Sequence, residues 1–153
     1  MVRFGMALKL SEEDIEFVKD VFEPAEITLM LTNDHYSWER EYEVSKKMGA
    51  ARLVNAVAVL MKEKSLSVDE AKEMVKALII SNEGEYVRRR TQFYENNPLL
   101  PSRLKKWIEV AGLIVSGNNF WCVNCPRHNA WKNTPLAEEA KGSPSTVVST
   151  ALG

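Results

Sequence analysis

Asn33-Asp34-His35-Tyr36-Ser37-Trp38-Glu39-Arg40-Glu41 is the stretch on which the reading of this chain turns. Asn33, Ser37 and Glu41 recur every fourth residue. At about 100° per residue they stack along one face of a helix, one turn after another. Each offers oxygen: an amide, a hydroxyl and a carboxylate. Such a stripe suits a hard divalent cation such as Mg²⁺. Helical side chains lean toward the N-terminus, so the long Glu41 reaches back over Ser37. Arg40 lies only about 20° from the direction of Asn33 and faces the same side. A cation beside a metal face makes sense when the ligand carries more negative charge than the metal neutralises, as a diphosphate does. The same residues equally describe the solvated stripe of an amphipathic helix. The rest of the chain has to decide between the two.

Composition narrows the classes. The 153 residues, 45% hydrophobic and 27% charged, are enough for one soluble domain with a real core. Twenty Lys and Arg against 21 Asp and Glu leave a net charge of −1, which gives no reason to expect nucleic acid or a membrane surface as a partner. No apolar run approaches the length of a membrane span. The opening MVRFGMALKLSEED turns polar too soon for a signal peptide, so a cytoplasmic location is expected. Cys122 and Cys125 form a single C-x-x-C with His128 close behind, and His35 is the only other histidine. One such pair is weak evidence for zinc, and no βαβ context supports a redox motif. Two incidental thiols are the expected reading.

The chain in order is helical throughout, and an all-α fold is expected. Ser11 is a candidate N-cap, with Glu12, Glu13 and Asp14 in the first turn. A short helix carrying Ile15, Phe17, Val18, Val21 and Phe22 is expected to end at Pro24. Pro24 then opens a second helix to about Met48, which bears the polar stripe. Ile27, Leu29, Met30 and Leu31 surround most of its first half, so burial is expected there. A solvated face would not normally follow directly after a buried segment, which favours a polar patch inside a pocket. Tyr36, Trp38 and Tyr42 are expected to pack. Gly49 breaks the helix, and Leu53–Met61 is a short core helix. Ser67-Val-Asp-Glu70 is a capping box that opens a helix to about Tyr94, weakened in its middle by Gly84. The run Arg88-Arg89-Arg90 is expected to be a solvated face rather than an anion site. Ser102 is expected to cap a last helix from Arg103 to about Val123, with Gly112 and Gly117 as points of close approach. From Thr134 the composition reads as a linker or disordered tail.

Asn33-Asp-x-x-Ser-x-x-x-Glu41 resembles the second metal-binding motif of class I terpene cyclases, with Arg40 where that family often has a Lys or Arg touching diphosphate. The resemblance recurs near the end of the last helix. Fungal cyclases of the chimeric cyclase–prenyltransferase type, the fusicoccadiene/ophiobolin synthase-like subgroup, commonly show Ser-Gly-Asn, then Trp, then Cys-Pro-Arg-Tyr. Here Ser116-Gly117-Asn118, Trp121 and Cys125-Pro126-Arg127-His128 stand in that order. The match runs from about Phe4 to Asn129. It implies the helical bundle of that family and a Mg²⁺-dependent enzyme that ionises and cyclises a C20 or C25 prenyl diphosphate. Asn33, Ser37 and Glu41 would hold Mg²⁺. Arg40, Arg127 and His128 would bind diphosphate. Trp121 would stabilise carbocations through its π face, or simply pack.

Two departures qualify this. His128 stands where the family has Tyr. The family's aspartate-rich first motif has no counterpart before Asn33, where Glu12-Glu13-Asp14 is better explained as helix-start acid. The expectation is therefore a C-terminal part of a cyclase domain over residues 1–133 and a polar tail over 134–153. The competing expectation is a helical remnant without catalysis, self-associating through an exposed former core.

Overall fold

The computed structural model describes residues 8–49 and 53–129. Among them are five helices and no strand: α1 (Glu12–Met48), α2 (Ala56–Lys64), α3 (Val68–Asn96), α4 (Ser102–Asn124) and α5 (Pro126–Asn129). The all-α expectation holds. The boundary at residues 133–134 and the polar tail lie outside the described residues, as does most of the entry segment.

The expected capping box at Ser67 forms, and the expected N-cap Ser11 proves to be a capping box as well. Ser11 Oγ accepts the Asp14 N–H while the Asp14 carboxylate accepts the Ser11 N–H, each at 3.1 Å. Ser67 and Glu70 make the same reciprocal pair at the start of α3. Gly49 closes α1 in the left-handed conformation at φ +59°, which glycine adopts without a Cβ penalty. Ser102 does not cap α4. Pro101 occupies the N-cap position without a side-chain hydrogen bond, and Ser102 is the first helical residue.

The expected break at Pro24 is wrong. α1 runs for 37 residues, about 55 Å, with Pro24 inside it. A proline inside a helix deprives the carbonyl four residues earlier of its N–H donor. Here that carbonyl belongs to Asp20, and Arg89 Nη1 donates to it at 2.7 Å. The same guanidinium pairs with Glu23 at 2.7 Å. A cation on α3 thus supplies the donor that the proline removes.

Arg89 also corrects the reading of the basic run. Arg88 and Arg89 pair with Glu85, whose carboxyl they hold down at about 2. Arg90 pairs with Glu109 on α4 at 3.1 Å and lies over the Tyr86 ring. Each of the three arginines has an acidic partner, and two of them tie α3 to its neighbours.

The buried face of α1 is Val18, Val21, Ala25, Thr28 and Thr32, a three–four alternation that keeps one side toward the bundle. Met30 is 61% exposed, so the first half is buried on one face and not all round. Arg89 meets Glu23 and Lys72 meets Glu39, so α3 runs antiparallel to α1. Arg103 meets Asp14 and Trp107 stacks on Phe22, so α4 runs parallel to α1. The result is an up–down–up bundle with α2 laid against its far end. One core cluster joins Val18, Val21 and Ala25 to Tyr86, Leu104, Ile108, Ala111 and Val115. A second joins Trp38 to Val57, Ala71 and Val75. Trp38 therefore packs as expected, with Tyr42 stacked on it.

Of the two small positions expected on α4, only Gly112 meets a neighbour. A Cβ there would sit 3.3 Å from the Tyr86 ring, whereas one at Gly117 meets nothing within 4 Å among the described residues. Gly84 is equally open. Gly84→Ala is therefore expected to stabilise the chain by about 0.5–1 kcal/mol through helix propensity alone, read as a higher urea midpoint by circular dichroism. Gly112→Ala should gain less, because the buried Tyr86 must give way.

Candidate metal and diphosphate centre

The polar stripe lies in the second half of α1, beside the second core cluster. Ser37 is fully buried, and its Oγ has no hydrogen-bond partner among the described residues. A buried hydroxyl without a partner is costly, and natural proteins keep few of them. Asn33 and Glu41, one turn to either side, are partly buried. An amide, a hydroxyl and a single carboxylate on one face form an oxygen donor set of the kind that Mg²⁺ takes alongside ligand phosphates. The donor set and the orphaned Ser37 Oγ fit such an ion. Among the described residues no group of three His, Cys, Asp or Glu is arranged to hold a metal.

Glu41 is held on both sides. Its Oε2 accepts from Asn55 Nδ2 at 3.1 Å, and its Oε1 faces Arg40 Nη2 at 3.3 Å. The Nε of Arg40 is buried and has no partner among the described residues. Asp34, within the same motif, lies two turns before Glu41 on nearly the same side of α1 and is committed to α2. Its carboxylate accepts the Ala56 N–H at 2.7 Å and so caps α2. Burial raises the Asp34 carboxyl above its ordinary range against that hydrogen bond, and the charge of Glu41 raises it further.

The second group of expected residues comes to the same place. α5 packs on α1, and Pro126 starts this short helix immediately after Cys125 ends α4. His128 is buried, with its ring edge-on to Trp121 at 5.4 Å between centroids. Burial lowers the His128 pKa first, and Arg127 and Arg40 lower it further against Glu41 and Glu39. The imidazole is thus neutral at pH 7 and lies within electrostatic reach of Arg40 and Glu41. Arg127 is exposed and makes no ion pair among the described residues. Trp121 is 47% exposed. Cys122 and Cys125 are buried free thiols, and burial raises the Cys122 thiol. A groove of about 440 Å³ lies elsewhere, among Thr28, Tyr86, Arg90, Glu109 and Leu113.

Asn55 and the capping role of Asp34 escaped the sequence reading. An Asn before an apolar helical run is a recognisable N-cap signal, and it would have moved the start of α2 from Leu53 to Ala56. Nothing in the local sequence announces its contact with Glu41.

Residues 1–84 match the family model for terpene synthase family 2, C-terminal metal binding. The chain is 44% identical over 146 residues to a sesterterpene synthase of Colletotrichum orbiculare, covering 95% of this chain and 20% of that protein. It is 42% identical over 142 residues to a bifunctional terpene synthase of Fusarium proliferatum, covering 93% of this chain and 19% of that protein. A terpene cyclase of Stachybotrys chlorohalonatus is 40% identical over 126 residues, covering 82% of this chain and 33% of that protein. The chain thus spans about a fifth of the length of most of these relatives. Among the described residues no helix is long and apolar enough to cross a membrane.

Proposed function

This chain belongs to terpene synthase family 2, and from that premise we propose that it is the metal- and diphosphate-holding part of a Mg²⁺-dependent cyclase acting on a C20 or C25 prenyl diphosphate in the cytoplasm. Residues 1–133 are the C-terminal portion of the cyclase domain, followed by the polar stretch 134–153. Asn33, Ser37 and Glu41 hold Mg²⁺. When bound, the ion neutralises charge that gathers on the diphosphate as its bond to the prenyl chain breaks.

The chain's own residues do the rest. Arg40 gives up its long contact with Glu41 and turns to the diphosphate. Arg127, unpaired among the described residues, takes diphosphate oxygens through its forked N–H groups. His128, neutral and buried, donates through a ring N–H where the family has a tyrosine hydroxyl. Trp121 presents its ring to cationic carbon. The observation that carries this reading is the meeting of the two motifs. His128 of the second feels the charges of Arg40 and Glu41 of the first. The Ser37 Oγ, partnerless among the described residues, supports it further.

A second reading has its own observation. Ile80, Val87, Leu113 and Phe120 are 49–73% exposed on α3 and α4, a surface that suits self-association of a non-catalytic remnant. Calorimetry with geranylgeranyl diphosphate, in Mg²⁺ and then in EDTA, separates the two. Binding that requires Mg²⁺ is expected, and its absence overturns the proposal. Any cyclic hydrocarbon found by gas chromatography defeats the remnant reading outright. Oligomers in light scattering without diphosphate binding would favour it.

A further inference from the structure

We infer that Asn55 is a positioning residue for Glu41, holding one carboxylate oxygen so that the other is presented to the metal face. The inference rests on Glu41 being a metal ligand. Asn55 is 2% exposed and begins α2. Capping a helix needs only the side-chain oxygen of an asparagine, and here Oδ1 accepts the Val57 N–H at 2.9 Å. The amide N–H₂ group is therefore spare, and both of its hydrogens are used on α1. Nδ2 donates to the Asp34 carbonyl at 3.0 Å and to Glu41 Oε2 at 3.1 Å. One buried amide thus satisfies all of its groups at once.

The neighbouring backbone completes the clamp. The Ala56 N–H donates to the Asp34 carboxylate at 2.7 Å, so the first turn of α2 is fastened to α1 at two carboxylates two helical turns apart. The positive N-terminal end of α2 favours both of them. Glu41 is left with one committed oxygen, Oε2. The other, Oε1, has among the described residues only the 3.3 Å contact from Arg40, its neighbour in sequence. Oε1 is thus the oxygen that can exchange Arg40 for a cation while the carboxylate stays in place. A ligand oriented by an outer hydrogen bond binds metal better than one that must be ordered on binding.

The test uses Mn²⁺ titrated into the whole chain with inorganic pyrophosphate, free Mn²⁺ being read by electron paramagnetic resonance. Asn55→Ser keeps a capping oxygen but is too short to reach Glu41. Asn55→Gly is a second variant that an N-cap also accepts. Either should weaken Mn²⁺ binding by about tenfold or more at unchanged helix content. Combined with Glu41→Gln, Asn55→Ser should weaken binding no further than Glu41→Gln alone, because Asn55 acts through that carboxylate. Two results overturn the inference and leave the proposed function standing. One is wild-type Mn²⁺ binding in both Asn55 variants while Glu41→Gln binds weakly. The other is a double variant weaker than Glu41→Gln by the full Asn55→Ser factor. Wild-type binding in Glu41→Gln would instead remove the metal reading of Glu41, and this inference with it.

Discussion

Glu41→Ala is expected to weaken Mg²⁺-dependent pyrophosphate binding by about 100-fold, a loss of about 2.8 kcal/mol. Glu41 is the only carboxylate among the three proposed stripe ligands, so it carries the only full charge they would offer the cation. Its removal also leaves the Asn55 amide and Arg40 without their shared partner. The buried Ser37 and the partly buried Asn33 cannot replace it, since neither is charged. Calorimetry of Mg²⁺ and pyrophosphate together, compared with each alone, reads the effect. An affinity equal to that of the unaltered chain would sink the assignment of Glu41. Helix content should change little, because the Glu41 side chain is about a quarter exposed and lies outside both core clusters.

Ile108→Ala acts on stability and not on the site. Ile108 is fully buried at the centre of the first cluster, where α1, α3 and α4 meet. Its carbonyl accepts the Tyr86 hydroxyl at 2.5 Å, so side chain and backbone both fasten α4 to α3. Truncation removes three carbons and leaves a cavity among neighbours fixed on three helices. A cost of about 3–4 kcal/mol is expected, read by urea unfolding. Ile80→Ala is the control. Ile80 is 61% exposed, and its truncation should cost no more than about 0.5 kcal/mol. Equal costs at the two positions would contradict the assignment of the core.

Local signals in this chain are strong, and they carried the reading of the helices. Ser11 with Asp14 and Ser67 with Glu70 announce helix starts, and Gly49 announces a stop, because each acts within one turn of its own position. Pro24 misled for the same reason. Its effect is local, but the donor that compensates it comes from Arg89, 69 residues away from Asp20 in sequence. Met30 misled because apolar character fixes a preference for burial and not the direction of a neighbour.

The stripe Asn33–Ser37–Glu41 was legible because helical spacing alone aligns it. That Ser37 is buried without a partner among the described residues, and that Glu41 is held by Asn55, depends on how the helices dock, which no local pattern encodes. The second motif was recognised as sequence. Its approach to the first follows from α4 running parallel to α1, so that the end of α4 returns to the middle of α1.

The central claim is that the Asn33–Glu41 face and the Trp121–His128 stretch bound one site. Mn²⁺ bound in the presence of pyrophosphate tests it through nuclear magnetic resonance of the indole and imidazole groups. The Trp121 indole and His128 ring signals should broaden at low Mn²⁺. The Trp107 indole should stay sharp, because it stacks on Phe22, about 28 Å up α1 from Glu41. Broadening of Trp107 with Trp121 and His128 unaffected would contradict the claim.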